Sequence, residues 1–150
     1  MTEALRTLLI AGITLAAGFT WMGVRTAAIP VAAPERLVAE LRLAQIAALL
    51  LALTAGAYIG FAVSYESQAG AGLDVALAVG FFLVAATTLV RDPRHALTII
   101  ALAFAAHAIL DVAHAPGLLA DGLVPRWYAV GCAVFDVYIG VIAYLPILRR

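Results

Sequence analysis

Residues 43–65 read LAQIAALLLALTAGAYIGFAVSY, a run of 23 residues without a charged side chain. An α-helix rises about 1.5 Å per residue, so about 20 apolar residues cross a hydrocarbon core about 30 Å thick. This run is therefore long enough to span a bilayer. We predict that it belongs to a longer helix starting at Pro34, because proline suits the first helical turn, where its missing N–H would be unsatisfied in any case.

Four further apolar runs flank this one, separated by polar or proline-containing turns. The first of them could also be a cleaved secretory signal peptide. It is long for the apolar region of such a signal, however, and Trp21 near its end suits an interfacial anchor, so we predict a retained span. The turn at residues 91–94, RDPR, and the loop between residues 115 and 126 separate the later runs. The sequence thus predicts five spans, at about 5–24, 43–65, 73–90, 95–114 and 127–148.

Composition supports an integral membrane protein. The chain is 65% hydrophobic and 12% charged, whereas soluble domains are about 45–50% apolar and about 25% charged. We therefore predict an all-α fold, one transmembrane helical bundle over residues 1–150, with the lipid bilayer as its partner. The formal net charge of zero gives no reason to expect nucleic acid as a partner. Small residues such as Gly56 and Gly60 favour close helix packing, in a homo-oligomer or a larger membrane complex.

Arginine counts predict the orientation of the chain, because cytoplasmic segments of membrane proteins are enriched in positive charge. Placing the N-terminus outside assigns seven arginines to the inner segments and two to the outer ones. We therefore expect an inner-membrane protein with its N-terminus out and its C-terminus in. The inner arginines are Arg25, Arg36, Arg42, Arg91, Arg94, Arg149 and Arg150, and the outer ones are Arg6 and Arg126.

The residues that suggest chemistry lie in the last two helices. Offsets of 0, 4 and 7 along a helix place His107, Asp111 and His114 within about 60° of arc, so they form one polar stripe. Cys132 and Asp136 are four apart and share a face of the fifth helix. Because the connecting loop is short, we predict that the two helices are antiparallel neighbours and that their stripes meet in the outer half of the membrane. These five residues are the candidate ligands of the site.

Other polar side chains are expected at the same depth in the membrane as these candidate ligands. An ionisable residue within a span costs at least about 2.5 kcal/mol, so it usually faces the bundle interior and has a partner there. Asp136 is the deepest acid, and we expect it to be the most costly residue to alter in the fifth helix. We predict four secondary polar neighbours of the site, namely Tyr58, Glu66, Asp74 and Tyr128.

Three interpretations of the polar cluster stay open. The first is a set of hydrogen bonds that only locks helices four and five together, as in a non-catalytic membrane subunit. The second is a metal site, since imidazole, carboxylate and thiolate bind zinc, and imidazole with thiolate also suits copper. The third is a proton relay or a pocket for a small ligand. We favour an outward-facing site for a metal ion or small ligand.

An intramembrane enzyme is our third hypothesis, after the ligand-binding protein and the non-catalytic subunit. The sequence contains no glycine-rich phosphate loop, no CxxC, no HExxH and no nucleophile elbow of the G-x-S-x-G type. Each of these patterns would indicate a particular chemistry. No catalytic residue is therefore assigned from the sequence.

Overall fold

A computed structural model describes residues 3–64, 71–114 and 124–149. Within these ranges the chain is all-helical, and five helices are long and apolar enough to cross a membrane, as predicted. They are α1 (Glu3–Ala28), α2 (Pro34–Ser64), α3 (Ala71–Thr88), α4 (Pro93–His114) and α5 (Arg126–Leu148).

The helix boundaries follow the turn residues. Prolines occupy the first position of α2 and α4, where a missing N–H costs nothing. At the start of α4, the carboxylate of Asp92 accepts hydrogen bonds from the backbone N–H groups of Arg94 and His95, at 3.0 and 3.2 Å. This is the N-cap arrangement that satisfies the first free donors of a helix. Helix α1 continues four residues beyond the predicted span, to Ala28, because nothing interrupts it before Pro30.

Helices α4 and α5 are antiparallel neighbours, as predicted. The imidazole of His107 is hydrogen-bonded to Asp136, and one turn further along, Gly140 lies against Phe104. Residue numbers fall along α4 as they rise along α5, which is the antiparallel order.

Helices α1 and α5 run parallel to each other. The hydroxyls of Thr20 and Tyr138 are hydrogen-bonded at 2.6 Å, and Gly23 lies against Ile142 at the next turn. A β-carbon at Gly23 would lie 2.6 Å from the Ile142 side chain, so the close approach of the two helices requires glycine here. The parallel pair agrees with an up-and-down arrangement of five helices.

One end of the bundle gathers most of the basic residues. It is the end at which α1, α3 and α5 finish and α2 and α4 begin, and we call it the arginine end. In the described ranges, the arginines within about three turns of these helix termini are Arg25, Arg36, Arg42, Arg91, Arg94 and Arg149.

The guanidinium of Arg36 ties three helices together at this end. It donates to the carbonyl oxygens of Thr26 and Ile29, at 2.6 and 2.8 Å, and to that of Pro146 in the last turn of α5, at 2.7 Å. Helix C-termini leave carbonyl groups without intrahelical partners, and Arg36 satisfies several of these. Its Nε atom donates a hydrogen bond of 2.6 Å to the carboxylate of Glu40.

Arg36 and Glu40 form an ion pair four residues apart in the first two turns of α2. Both side chains are buried within the bundle, each only 2% exposed. The reason is that Arg36 has partners on α1 and α5, and that Glu40 also binds Arg94 at the start of α4, at 3.2 Å.

Helix α1 separates from the bundle towards its N-terminus. Phe19 is 2% exposed, whereas Ile10 is 61% and Ile13 is 67% exposed. The separation leaves an apolar groove between α1, α2 and α5, with a volume of about 580 Å³. The arginine end is therefore where α1 is held most firmly.

We expect Arg36→Leu to lower the free energy of unfolding by about 3–5 kcal/mol, because it leaves the buried Glu40 without its closest partner. Thermal and denaturant unfolding in detergent micelles would measure this. The exposed Arg42, on the same helix, supplies the control variant Arg42→Leu, which should change stability little. Equal losses in the two variants would contradict the role given to Arg36.

Candidate functional site

Four candidate ligands meet in the interior of the bundle. They are His107 and Asp111 of α4 and Cys132 and Asp136 of α5, here called the central cluster. Each residue is at most 7% exposed, and one donor atom from each lies within 4.8 Å of the others. Each helix contributes two residues four positions apart, so both pairs face the same interface.

The carboxylate of Asp136 lies at the centre of this group. Its Oδ2 atom is hydrogen-bonded to Nδ1 of His107 at 2.5 Å and lies 4.0 Å from Sγ of Cys132. The same Nδ1 atom is 3.4 Å from Oδ2 of Asp111. The prediction that the α4 stripe reaches the α5 stripe is therefore confirmed. That these residues bind a ligand stays a prediction.

Two carboxylate oxygens of the cluster lack hydrogen-bond partners. In the part of the chain that the structure describes, Oδ2 of Asp111 and Oδ1 of Asp136 are buried and accept no hydrogen bond. Buried polar atoms are nearly always paired, because leaving one unpaired costs free energy. Both oxygens therefore have unused capacity for a proton, a water molecule or a cation.

Aromatic side chains surround the cluster and orient it. Tyr58 of α2 donates a hydrogen bond to Asp111, and its ring lies edge-on to His107 at 5.5 Å. Phe81 of α3 contacts the same imidazole at 4.9 Å. Tyr128 lies behind Tyr58, with 6.4 Å between the ring centroids. Two of these three aromatic side chains, Tyr58 and Phe81, thus come from helices that hold no member of the central cluster.

His114 lies apart from the central cluster. Its Nε2 atom is 2.9 Å from Oδ1 of Asp74 in the first turn of α3, and its Nδ1 atom is 2.8 Å from the carbonyl of Leu110. Seven residues separate His114 from His107, which is about 10 Å along the helix axis. His114 therefore shares the stripe but binds α3, and we call Asp74 and His114 the outer pair.

Hydrogen-bond chemistry fixes a minimum number of protons on the outer pair. The Leu110 carbonyl only accepts, so Nδ1 of His114 must carry a proton. A second proton must lie between Nε2 and the Asp74 carboxylate, on one atom or the other. Any cation that binds Nε2 has to displace that second proton.

The remaining sequence expectations have mixed outcomes. Glu66 lies outside the described residues. Tyr58, Asp74 and Tyr128 all lie next to the candidate ligands, and their role in function stays a prediction. Phe81 was not identified from the sequence, because a phenylalanine in a spanning helix resembles any other lipid-facing or core residue.

No protein family, curated protein or solved structure matches this chain.

We expect Tyr58→Phe to lower the free energy of unfolding by about 1–3 kcal/mol, because it removes the hydrogen bond to a buried carboxylate and leaves Asp111 less satisfied. The matched control is Tyr144→Phe, since Tyr144 is 37% exposed. Unfolding of both variants in detergent checks this. A Tyr58→Phe protein as stable as the control would show that the bond to Asp111 contributes nothing.

Proposed function

We propose that this chain is a multi-pass protein of a cell inner membrane, and that its central cluster binds a divalent transition-metal ion, with zinc favoured. The observation that carries the proposal is the meeting of an imidazole, a thiol and two carboxyl groups within 4.8 Å, with two buried oxygens left unpaired. Neutral imidazole, carboxylate and thiolate are the usual protein ligands of zinc.

The dimensions of the cluster suit a tetrahedral ion after small adjustments. Zinc bonds of about 2.0–2.3 Å imply donor separations of about 3.3–3.8 Å. The widest present separation, 4.8 Å, needs a contraction of about 1 Å to meet that geometry. The 2.5 Å contact of His107 with Asp136 is a hydrogen bond, so its proton would leave as the ion binds.

Charge balance also supports a cation. Asp111 and Asp136 are both fully buried, and an ionised carboxylate in an apolar interior needs a compensating charge. The chain contains no lysine, and among the described residues both carboxylates are paired with the single imidazole of His107, which supplies at most one positive charge for two acids. A bound divalent ion would be the largest positive charge in such a site. Two carboxylates favour zinc over copper(I), which prefers softer ligands.

A structural helix lock is the alternative, and a specific observation favours it. The hydrogen bond between His107 and Asp136 already joins α4 to α5, and it needs no ion to do so. A lock gives no role to Cys132 or to the unpaired oxygens of Asp111 and Asp136. Metal analysis separates the two functions.

We expect the purified wild-type protein to retain one zinc ion per chain, measured by inductively coupled plasma mass spectrometry. His107→Ala and Asp136→Asn should each lose most of this metal, because each removes a donor of a four-donor site. His95→Ala is the matched control, since His95 lies on the same helix but is exposed near the arginine end. It should retain the wild-type metal content.

The same preparations test the helix lock. A lock predicts no bound metal in the wild type and a lower melting temperature in His107→Ala. Metal that is present at equal levels in all four proteins would lie elsewhere and would contradict the proposed site.

Orientation has its own test. The excess of arginine at the arginine end supports a cytoplasmic location for that end, which places the N-terminus outside and the C-terminus inside. We expect alkaline phosphatase to be active when fused to the N-terminus after a separate export signal, and green fluorescent protein to fluoresce at the C-terminus. Termini that report the same side of the membrane would refute five spans.

A further inference from the structure

A small cavity connects the outer pair with the central cluster. It lies between α2, α3 and α4, and its polar lining consists of Tyr58, Asp74, His107 and His114. It leaves about 10 Å³ for the centre of a water molecule, which is about the room that one water needs. The cavity therefore has room for about one dehydrated ion on its way between the two groups.

The carboxylate of Asp74 is available to bind a cation in this cavity. It is 2% exposed, and its Oδ2 atom is buried without a hydrogen-bond partner among the described residues. Its other oxygen binds Nε2 of His114. An unpaired carboxylate oxygen beside an imidazole nitrogen is a two-donor arrangement for a cation.

We propose that Asp74 and His114 form an outer binding station for the divalent cation, from which the ion passes through the cavity to the central cluster. This inference rests on the proposed function, because it assumes that the central cluster binds metal. It adds a second site, and with it a route by which the ion enters.

The two sites should differ in their affinity for the cation, because they offer different numbers of donor atoms. The outer pair offers two protein ligands, with water completing the coordination, whereas the central cluster offers four. A site on a pathway must bind well enough to admit an ion and weakly enough to release it. The difference in ligand number therefore favours movement from the outer pair inwards.

Position along the bundle supports this order. Asp74 is in the first turn of α3 and His114 is the last residue of α4, so the pair lies at the end of the bundle opposite the arginine end. His107 lies about 10 Å deeper along α4. Tyr58 lies between the two histidines, with its ring centroid 5.0 Å from His114 and 5.5 Å from His107.

Each step in the movement of the ion exchanges the cation for protons, and no group is oxidised or reduced. When the ion binds His114, the proton between Nε2 and the Asp74 carboxylate leaves to solvent. When the ion reaches the central cluster, the Cys132 thiol and the His107–Asp136 hydrogen bond each give up one proton as the metal–sulfur and metal–nitrogen bonds form. One of these protons returns to the vacated outer pair, and the other leaves to solvent.

The test uses Co²⁺ as the probe, because a cobalt–thiolate bond gives a charge-transfer absorption that reports arrival at Cys132. Metal-free full-length protein in detergent would be mixed with Co²⁺ in a stopped-flow instrument. We expect Asp74→Asn and His114→Ala to slow the appearance of the band by about tenfold or more, since each removes one of the two donors of the outer pair, and the Asp74 carboxylate attracts the cation once the shared proton is displaced. The final intensity should match the wild type.

Three controls make the outcome decisive. His95→Ala should load at the wild-type rate, Cys132→Ser should show no band, and Asp74→Glu should restore much of the rate lost in Asp74→Asn. Asp74→Asn keeps the shape of the side chain, so it decides the matter if His114→Ala fails to fold.

Equal loading rates in the wild type and both outer-pair variants would overturn the entry station while leaving the central site intact. A wild-type protein without any band would overturn the proposed function, and the station with it. A reduced final intensity at an unchanged rate would assign Asp74 and His114 to structure alone.

Discussion

The rest of the structure depends on one constraint: an ionisable side chain in an apolar helical bundle must find its partner inside the bundle. Few residues of this chain are charged, and the buried ionisable ones gather at three levels. Arg36 and Glu40 join α1, α2, α4 and α5 at the arginine end. His107 and Asp136 join α4 and α5 further along the bundle, and Asp74 and His114 join α3 and α4 at the opposite end. Between these levels the helices pack through leucine, alanine and phenylalanine, whose contacts are less directional and specify register less strongly.

The sequence predicts the helices well because their signal is local. Apolar runs of about 20 residues and the prolines between them are visible without any knowledge of contacts. The meeting of α4 and α5 is also predictable, since the polar stripes and a short loop both indicate it. The burial of Arg36 is not predictable in this way, because most of its partners are backbone carbonyls at the ends of α1 and α5, and carbonyl groups leave no mark in a sequence.

His114 shows the same limit at the candidate site. Helical spacing places it on the stripe with His107 and Asp111, and on that ground it is grouped with them as a ligand. Spacing around the helix does not say which neighbouring helix each turn faces. His114 lies one turn beyond Asp111, and its partner there is Asp74 of α3, which is forty residues away in the sequence. A single stripe is therefore divided between two partners, and the division follows from the packing of three helices.

Close packing of α4 against α5 determines the spacing of the central cluster. A β-carbon at Gly140 would lie 3.3 Å from Cβ of Phe104 and 3.4 Å from the Ala101 carbonyl, tighter than ordinary van der Waals contact. Gly140 is one turn from Asp136, so the absence of a side chain there allows the two backbones to approach where the four donors meet. All four donors come from this one interface. The outer pair instead needs α3, because Asp74 belongs to it. Separation of α3 from α4 would therefore abolish the outer pair and still leave the donors of the central cluster together.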